Sequence, residues 1–557
     1  LSTRLAPDSR ETARNGRPYG LTVAQFLLEQ LRLWEVKNIY GVIGDSTLYL
    51  LDELAKQSGI RYIACKHEEG AALMASAEAK LTGRVAVCLA TSGPGAVNLM
   101  NGLADAYTDG APVLALTGQV ETAKIGTRTK QYIDQQRLFS AVSGFSALLA
   151  DPQALPEMMP EALVTAQTRG TVAHIAIPKN MYLQPVKGSP QAYGPYLHQI
   201  PEVPEEALRP FAESIRGCER PVLVAGRGIR EVRGEFLSYA ESIGAAVITT
   251  LPARPLFPND HELYLGGLGQ AGSEAAGILL SESDRIVLMG ATWWPEAYVP
   301  SNARILQIDK EPSRIGISHE VEIGLTGDLR QILPSLLRLH KKIPDSGRPV
   351  WRSRIAEVKS EWKRKIGREA SLAGTPVPPQ TVMRILSEEL APDAVIAVDT
   401  GDHTLWFNRI FQARPNQEIL VSGRWRTLGF ALPAAISARL RFPERQAVAV
   451  AGDGGSLQTL MEFRTAVDHA LPIVLVVLNN HAYAMEKNRM NAAGLATLGS
   501  LLENPDFARV AEACGGLGFK ASDAEQLREY LRRAFLSGRP ALIEVETACP
   551  AVPHTKI

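Results

Sequence analysis

The stretch Ala447-Val-Ala-Val-Ala-Gly-Asp-Gly-Gly-Ser456, with Ile473-Val-Leu-Val-Val-Leu-Asn-Asn480 beyond it, decides the fold. Each half opens on a short apolar run of the kind that forms a strand buried on both faces. Asp453 and Asn480 lie 27 positions apart, which suits one strand, helix, strand step and therefore a parallel pair. Both strands end in residues with a chemical use. Gly452, Gly454 and Gly455 let backbone N–H groups approach a diphosphate, while Asp453 offers a hard carboxylate oxygen and Asn480 a neutral carbonyl oxygen for magnesium. A lone Gly-Asp-Gly is a common turn. The asparagine pair at the end of the next strand favours the phosphate-and-metal reading.

Outward from this stretch, the alternation of apolar runs with amphipathic segments repeats in three blocks. The first holds predicted strands at Arg84–Ala90 and Pro112–Thr117. The second holds Pro221–Ala225, Ala246–Thr250, Arg285–Met289 and Ala303–Ile308, and the third Ala394–Val398, Ala447–Ala451 and Ile473–Leu478. Stretches rich in Pro and Gly, Pro185 to Pro204 and Pro344 to Pro379, separate the blocks, the second with a charged helical piece at Trp351–Arg368. The expectation is an α/β protein of three doubly wound parallel-sheet domains at residues 20–187, 205–342 and 375–557, behind a disordered stretch at 1–19.

Composition narrows the function. The 557 residues, 45% hydrophobic and 21% charged, suffice for several cores. Lys and Arg balance Asp and Glu at 59 each, so no basic field attracts nucleic acid. The five cysteines (Cys65, Cys88, Cys218, Cys514, Cys549) form no C-x-x-C pair and read as buried residues of a reducing, cytoplasmic compartment. No window approaches 18 apolar residues, and the polar N-terminus lacks an apolar signal core, so neither membrane nor secretion is expected. A small-molecule ligand is the expected partner.

A second candidate site lies upstream. Lys66-His67-Glu68-Glu69-Gly70-Ala71-Ala72 follows an apolar strand and starts an Ala-rich helix. Alone, a Glu there is explained by the helix dipole. The next strand, however, ends in Ala90-Thr-Ser-Gly-Pro-Gly95 and runs on through Asn98 to Gly102-Leu-Ala-Asp-Ala106.

Together these segments resemble the thiamine-diphosphate family that includes acetolactate synthase, pyruvate oxidase and pyruvate decarboxylase, from about Leu21 to Ala551. The resemblance implies magnesium ligands at Asp453, Asn480 and the backbone carbonyl of Ala482, with Gly452, Gly454, Gly455, Ser456 and Tyr483 around the cofactor. In Val398-Asp-Thr-Gly-Asp-His403, Gly401 and His403 fall where acetolactate synthases have Gly-Gln-His, and Asp402 is a departure. His-Glu-x-Gly-Ala-Ala matches the family's catalytic glutamate loop on Glu68, not Glu69. The Thr-Ser-Gly-Pro-Gly-x-x-Asn pattern adds Ser92, Gly93, Pro94 and Asn98. The chemistry asks for one such carboxylate, because a Glu bonded to N1′ stabilises the imino tautomer that removes the thiazolium proton. Ser422 to Ala435 resembles the segment that supplies an apolar wedge beneath the bent cofactor, which places Leu428 there. Arg424, Trp425 and Arg426 replace a Gly-rich stretch.

The segments Ala225-Gly-Arg-Gly228, Gly266-Gly-Leu-Gly269, Gly290 and Gln307-Ile-Asp309 resemble the central domain that carries FAD in some relatives. Other relatives keep the domain without flavin, so FAD stays open. Trp293-Trp294 either stack on an adenine or fill space. Gly44-Asp45-Ser46 and Asn504-Pro-Asp-Phe resemble quinone-dependent pyruvate oxidase more than acetolactate synthase.

The implied reaction is decarboxylation of a 2-keto acid followed by carboligation to a second carbonyl. Glu68 would relay protons, and Gln119 and Gln131, the latter beside Lys130, would face substrate. FAD-dependent oxidative decarboxylation, simple decarboxylation and a catalytically silent paralogue are the alternatives. In the family the glutamate-bearing domain faces the diphosphate domain of a neighbouring chain, which implies a homodimer or homotetramer.

Overall fold

Among the described residues, three six-stranded sheets hold every strand, and all their pairings are parallel. The structure is a computed structural model that describes residues 20–192, 202–291, 298–300, 304–317, 319–341 and 348–553. The stretch expected to be disordered (1–19) and Trp293-Trp294 lie outside them.

The first sheet contains β1 (Asn38–Gly41), β2 (Arg61–Ala64), β3 (Ala86–Ala90), β4 (Val113–Gln119), β5 (Phe145–Leu148) and β6 (Val172–Pro178), in the order β2-β1-β3-β4-β6-β5. The second contains β7 (Pro221–Ala225), β8 (Ala246–Thr249), β9 (Tyr264–Gly267), β10 (Arg285–Met289), β11 (Ile305–Asp309) and β12 (Ile323–Thr326), ordered β12-β11-β10-β7-β8-β9. The third contains β13 (Val395–Val398), β14 (Glu418–Val421), β15 (Ala447–Gly452), β16 (Ile473–Asn479), β17 (Leu517–Ala521) and β18 (Ala541–Glu546), ordered β14-β13-β15-β16-β18-β17. The first and third sheets thus share one topology, and the second has the order of a dinucleotide-binding fold.

The interior strands are apolar throughout because helices cover both faces of each sheet. Residues 473–479 of β16, for example, are all buried. Four of the six edge strands lack that double cover: β2, β5, β12 and β17 are largely half-buried or exposed, whereas β9 is buried throughout. Neighbouring strands send their connections in opposite directions at β1/β3, β7/β10 and β13/β15, and parallel sheets place ligands beyond the strand ends at such switch points.

By contact density the described residues form two units, 20–75 with 84–192, and 76–83 with 202–553. The first has a core built on Val23, Phe26, Leu27, Leu114, Leu163 and Ile175. The second contains both remaining sheets and the linking helix Pro349–Ala370, which buries Trp351, Ile355, Val358 and Trp362. Arg409 fastens that unit. Its buried guanidinium pairs with Glu369 on the linking helix (2.5 Å) and Glu274 beside the second sheet (3.1 Å), and it stacks 4.7 Å over Trp362.

Candidate active site

The β13/β15 switch point carries the residues of the opening motif. Asp453 begins the short helix Asp453–Thr459 directly after β15 and is 2% exposed. Gly454 N–H donates to its Oδ1 (2.9 Å), and Ala482 N–H (3.2 Å) and Asn504 Nδ2 (2.9 Å) donate to Oδ2. Ala482 N–H also reaches Asn480 Oδ1 (3.2 Å), so the turn after β16 brings both side-chain ligand candidates to one backbone amide. His481, between them, adopts a left-handed φ of 55° that makes this tight turn possible. The Ala482 carbonyl accepts from Ala484 N–H (2.8 Å), which leaves one lone pair. Burial raises the Asp453 carboxyl pKa, opposed by the donors from Asn504, Gly454 and Ala482.

A carboxylate, an amide oxygen and a backbone carbonyl suit a hard cation that takes its other ligands from phosphate and water. Among the described residues no group of three His, Cys, Asp or Glu could hold a metal in the zinc manner.

The surrounding cradle is close-fitting. A Cβ on Gly454 would lie 2.3 Å from Tyr483 Cε1, so only glycine lets that ring lie against the turn. His403 packs against Gly452 and Gly401: a Cβ on Gly452 would stand 3.1 Å from its Nδ1 and one on Gly401 2.8 Å from its Cε1. Burial lowers the His403 pKa to about 4, and its Nε2, like Ser456 Oγ, is buried with no protein partner. Two orphaned polar atoms beside a glycine turn fit an anionic group that would satisfy them.

Asp402, the departure from the family pattern, is buried and its Oδ2 accepts from Trp406 Nε1–H (2.8 Å). Burial raises it to about 6 against hydrogen bonds from Trp406 and Asn488. Leu428 is half-buried in a turn pinned on both sides, by Thr427 Oγ1 on its carbonyl (2.9 Å) and by Gly429 N–H on Asp399 Oδ2 (3.1 Å). Arg424, Trp425 and Arg426 are exposed, and Arg426 has a left-handed φ of 56°.

Sequence reasoning missed two residues here. Asp399, 1% exposed, receives Thr400, Gly429 and Ala431 N–H groups and so ties the end of β13 to the Leu428 turn; burial raises its carboxyl to about 7. Asn504 joins Asp453 to Asn479. Both stand inside motifs read above, but Asn504 lies 51 positions from Asp453, and nothing in Asn504-Pro-Asp-Phe pointed to that partner.

In the first unit, Glu68 starts the helix Glu68–Thr82 and is 8% exposed. Asn98 Nδ2 donates to its Oε2 (3.0 Å), and a Cβ on Gly95 would come within 3.0 Å of Oε1. Glu69 instead receives Asn101 Nδ2 (2.6 Å). The two glutamates therefore have separate asparagine partners, and Glu68 shares its site with the Thr91 to Asn98 turn.

That turn lies at the β1/β3 switch point. Ser46 Oγ meets Thr91 Oγ1 (2.8 Å) and accepts from Ser92 N–H (2.9 Å). Pro94 is exposed, and Gly93 sits under Gln131, whose carbonyl oxygen would be 2.8 Å from an added Cβ. Gln131 itself is exposed with a left-handed φ of 61°. Gln119 is 2% exposed and its amide is engaged by backbone, donating to Ile133 O (3.0 Å) and accepting from Val120 N–H (2.8 Å). It therefore holds the segment that presents Gln131.

At the β7/β10 switch point, Gly226 and Gly228 pack on Gly290 backbone to backbone; a Cβ on Gly226 would be 2.1 Å from Gly290 O. Gly267 faces Asn408 Oδ1 at 2.2 Å from its would-be Cβ. Protein packing alone requires these glycines, so their presence does not distinguish a flavin-binding domain from one without flavin.

Two strand ends of one topology thus carry a glutamate and a set of oxygen donors beside a glycine cradle, and comparison with known proteins gives the class, a thiamine-cofactor enzyme. Family models match for the thiamine pyrophosphate enzyme N-terminal TPP binding domain over residues 21–138, the central domain over 208–336 and the C-terminal TPP binding domain over 399–545. The chain belongs to the thiamine pyrophosphate enzyme family, within the group that contains acetolactate synthase and pyruvate oxidase.

It is 35% identical to YdaP of Bacillus subtilis, provisionally described as thiamine pyrophosphate-containing, over 94% of this chain and 91% of that one. It is 32% identical to a "Probable acetolactate synthase large subunit" of Methanocaldococcus jannaschii, over 95% and 93%. It is 29% identical to the pyruvate oxidase of Lactiplantibacillus plantarum, over 95% and 89%. No helix among the described residues is long and apolar enough to cross a membrane.

Proposed function

We propose that this thiamine-diphosphate enzyme uses magnesium, decarboxylates a 2-keto acid and joins the remaining fragment to a second carbonyl compound. The observation that carries the reading is the convergence of Asp453 and Asn480 on Ala482 N–H, which supports a magnesium-held diphosphate. Asp453, Asn480 and the Ala482 carbonyl would hold the metal. Gly401, His403, Gly452, Gly454, Gly455, Ser456 and Tyr483 would cradle the diphosphate. Ser92, Gly93, Pro94 and Asn98 would line the site that Glu68 serves, and Leu428 would press on the cofactor from its pinned turn.

When bound, thiamine diphosphate supplies the carbon nucleophile and electron sink that loss of carbon dioxide requires. Glu68 holds or releases a proton at its carboxyl, kept in place by Asn98 Nδ2. Gln131 offers an exposed amide to substrate, and Gln119 supports it from below. Arg424 and Arg426 are exposed cations on the turn that leads to Leu428 and would favour an acidic substrate group. We place the domains at residues 20–187, 205–342 and 375–557 and read the working form as a cytoplasmic homodimer or homotetramer.

The 29% identity to a pyruvate oxidase favours a second reading, FAD-dependent oxidative decarboxylation. One experiment separates the two. The purified protein is scanned for flavin absorbance, then given thiamine diphosphate, magnesium and a panel of 2-keto acids, with and without aldehyde or keto-acid acceptors, and the products are read by mass spectrometry. Acyloin products without bound flavin support carboligation. Bound flavin with an oxidised acid product replaces it with the oxidase reading.

A further inference from the structure

We infer that Asn504 is a positioning residue for Asp453 and the last, half-buried link of a hydrogen-bond chain that starts at the buried Glu544. The inference rests on the reading of Asp453 as a magnesium ligand. Glu544 in β18 is 1% exposed; its Oε1 lies 3.3 Å from Lys520 Nζ and accepts from Asn479 Nδ2 (2.9 Å). Asn479, the last residue of β16, turns its Oδ1 toward His481 N–H (3.3 Å) and Asn504 Nδ2 (2.9 Å). The same Asn504 Nδ2 reaches Asp453 Oδ2 (2.9 Å).

The orientation of the Asn504 amide follows from its partners. Both Asp453 Oδ2 and Asn479 Oδ1 are acceptors, so the nitrogen must face them; the reversed amide would set oxygen against oxygen twice. This orientation leaves Asn504 Oδ1 buried with no protein partner, a cost the fold bears to keep both donations.

Asp453 Oδ2 then holds two donors, from Ala482 and Asn504, so the plane of the carboxylate is set before any cation arrives. The segment bearing Asn504 is itself paired to the ligand turn. Leu502 N–H donates to His481 O (2.9 Å), and Ala482 and Leu501 form an antiparallel bridge. Partners of this kind, which orient a ligand without touching the metal, typically change metal affinity 10- to 100-fold when removed.

Magnesium titrations in excess thiamine diphosphate, followed by tryptophan fluorescence, and manganese titrations followed by electron paramagnetic resonance test this on the full chain. Asn504→Ala is expected to weaken metal binding about 10- to 100-fold, with the unfolding temperature of the metal-free protein kept. Asn504→Ser, which retains a short hydroxyl donor, should fall between it and the parent. If Asn504→Ala does not fold, the Ser variant decides by the same criterion.

Parent-like metal affinity in the Asn504 variants, alongside lost binding in Asp453→Ala, overturns the role of Asn504 alone. Unchanged binding in Asp453→Ala overturns the reading of the site. A drop in metal-free stability with unchanged metal affinity reduces Asn504 to a structural residue and also overturns the inference.

Discussion

Asp453 and Asn480 share a single hydrogen-bond donor: Ala482 N–H lies 3.2 Å from Asp453 Oδ2 and 3.2 Å from Asn480 Oδ1. A side chain at the start of a helix and another beyond the next strand are thereby set to one backbone position. Asp453→Ala should lower magnesium-dependent affinity for thiamine diphosphate by at least about 100-fold, or roughly 2.8 kcal/mol. Calorimetric titration of the cofactor measures the loss, and an unchanged circular dichroism spectrum would locate it in the site.

Glu68→Gln keeps the shape of the side chain and removes its proton exchange. Turnover should fall about 10²- to 10⁴-fold while the cofactor still binds. Steady-state kinetics beside a cofactor titration separate the two effects, and unchanged turnover would refute the relay.

Gly454→Ala should weaken cofactor binding, because its Cβ would stand 2.3 Å from Tyr483 Cε1 and push the ring out of place. Adding Tyr483→Ala should remove that clash, so the double variant would bind no worse than Tyr483→Ala alone. A double-mutant cycle of cofactor affinities reads this non-additivity.

His174 makes the first unit acid-sensitive. Its ring is buried, stacked 3.7 Å from Phe139 and bonded to Thr117 and Ser146 (2.8 Å each), and burial lowers its pKa to about 3. An unfolded imidazole takes its proton near pH 6.5 and the folded one only near pH 3, so between these values the unfolded chain binds more protons. Stability contributed here is full above pH 6.5 and declines as the pH falls toward 3, by up to about 1.4 kcal/mol per pH unit. Urea unfolding at pH 7 and pH 5 should show a smaller difference in His174→Gln than in the parent.

Arg409→Ala should destabilise the second unit by up to about 3 kcal/mol, since Glu369 loses its buried partner while Glu274 keeps Lys365. The shift of the denaturant midpoint measures it.

Nine of the twelve interior strands were legible because burial on both faces is written as a largely apolar run: β3, β4, β7, β8, β10, β11, β13, β15 and β16 all stand where their runs lie, while β1, β6 and β18, which carry the buried polar residues Asn38, His174 and Glu544, were not. The edge strands β2, β5, β12 and β17 were not, since partial exposure admits polar residues that break the run. Glu68 and Asp453 stood out in the sequence for another reason. Each sits within a few residues of the turn that positions it, so its motif is continuous in the chain. Gln119 shows the limit of that approach. Its motif pointed to substrate, but its amide is engaged by Ile133 and Val120.

The sequence by itself determined the α/β architecture and the family, because periodicity, turn glycines and short motifs are local properties. Only the tertiary structure decided that Asp453 and Asn480 meet at Ala482, that Asp399 pins the Leu428 turn, and that Asn504 and Glu544 stand behind Asp453. Those relationships are hydrogen bonds between residues far apart in the chain, and their geometry exists only once the sheets have brought the strand ends together.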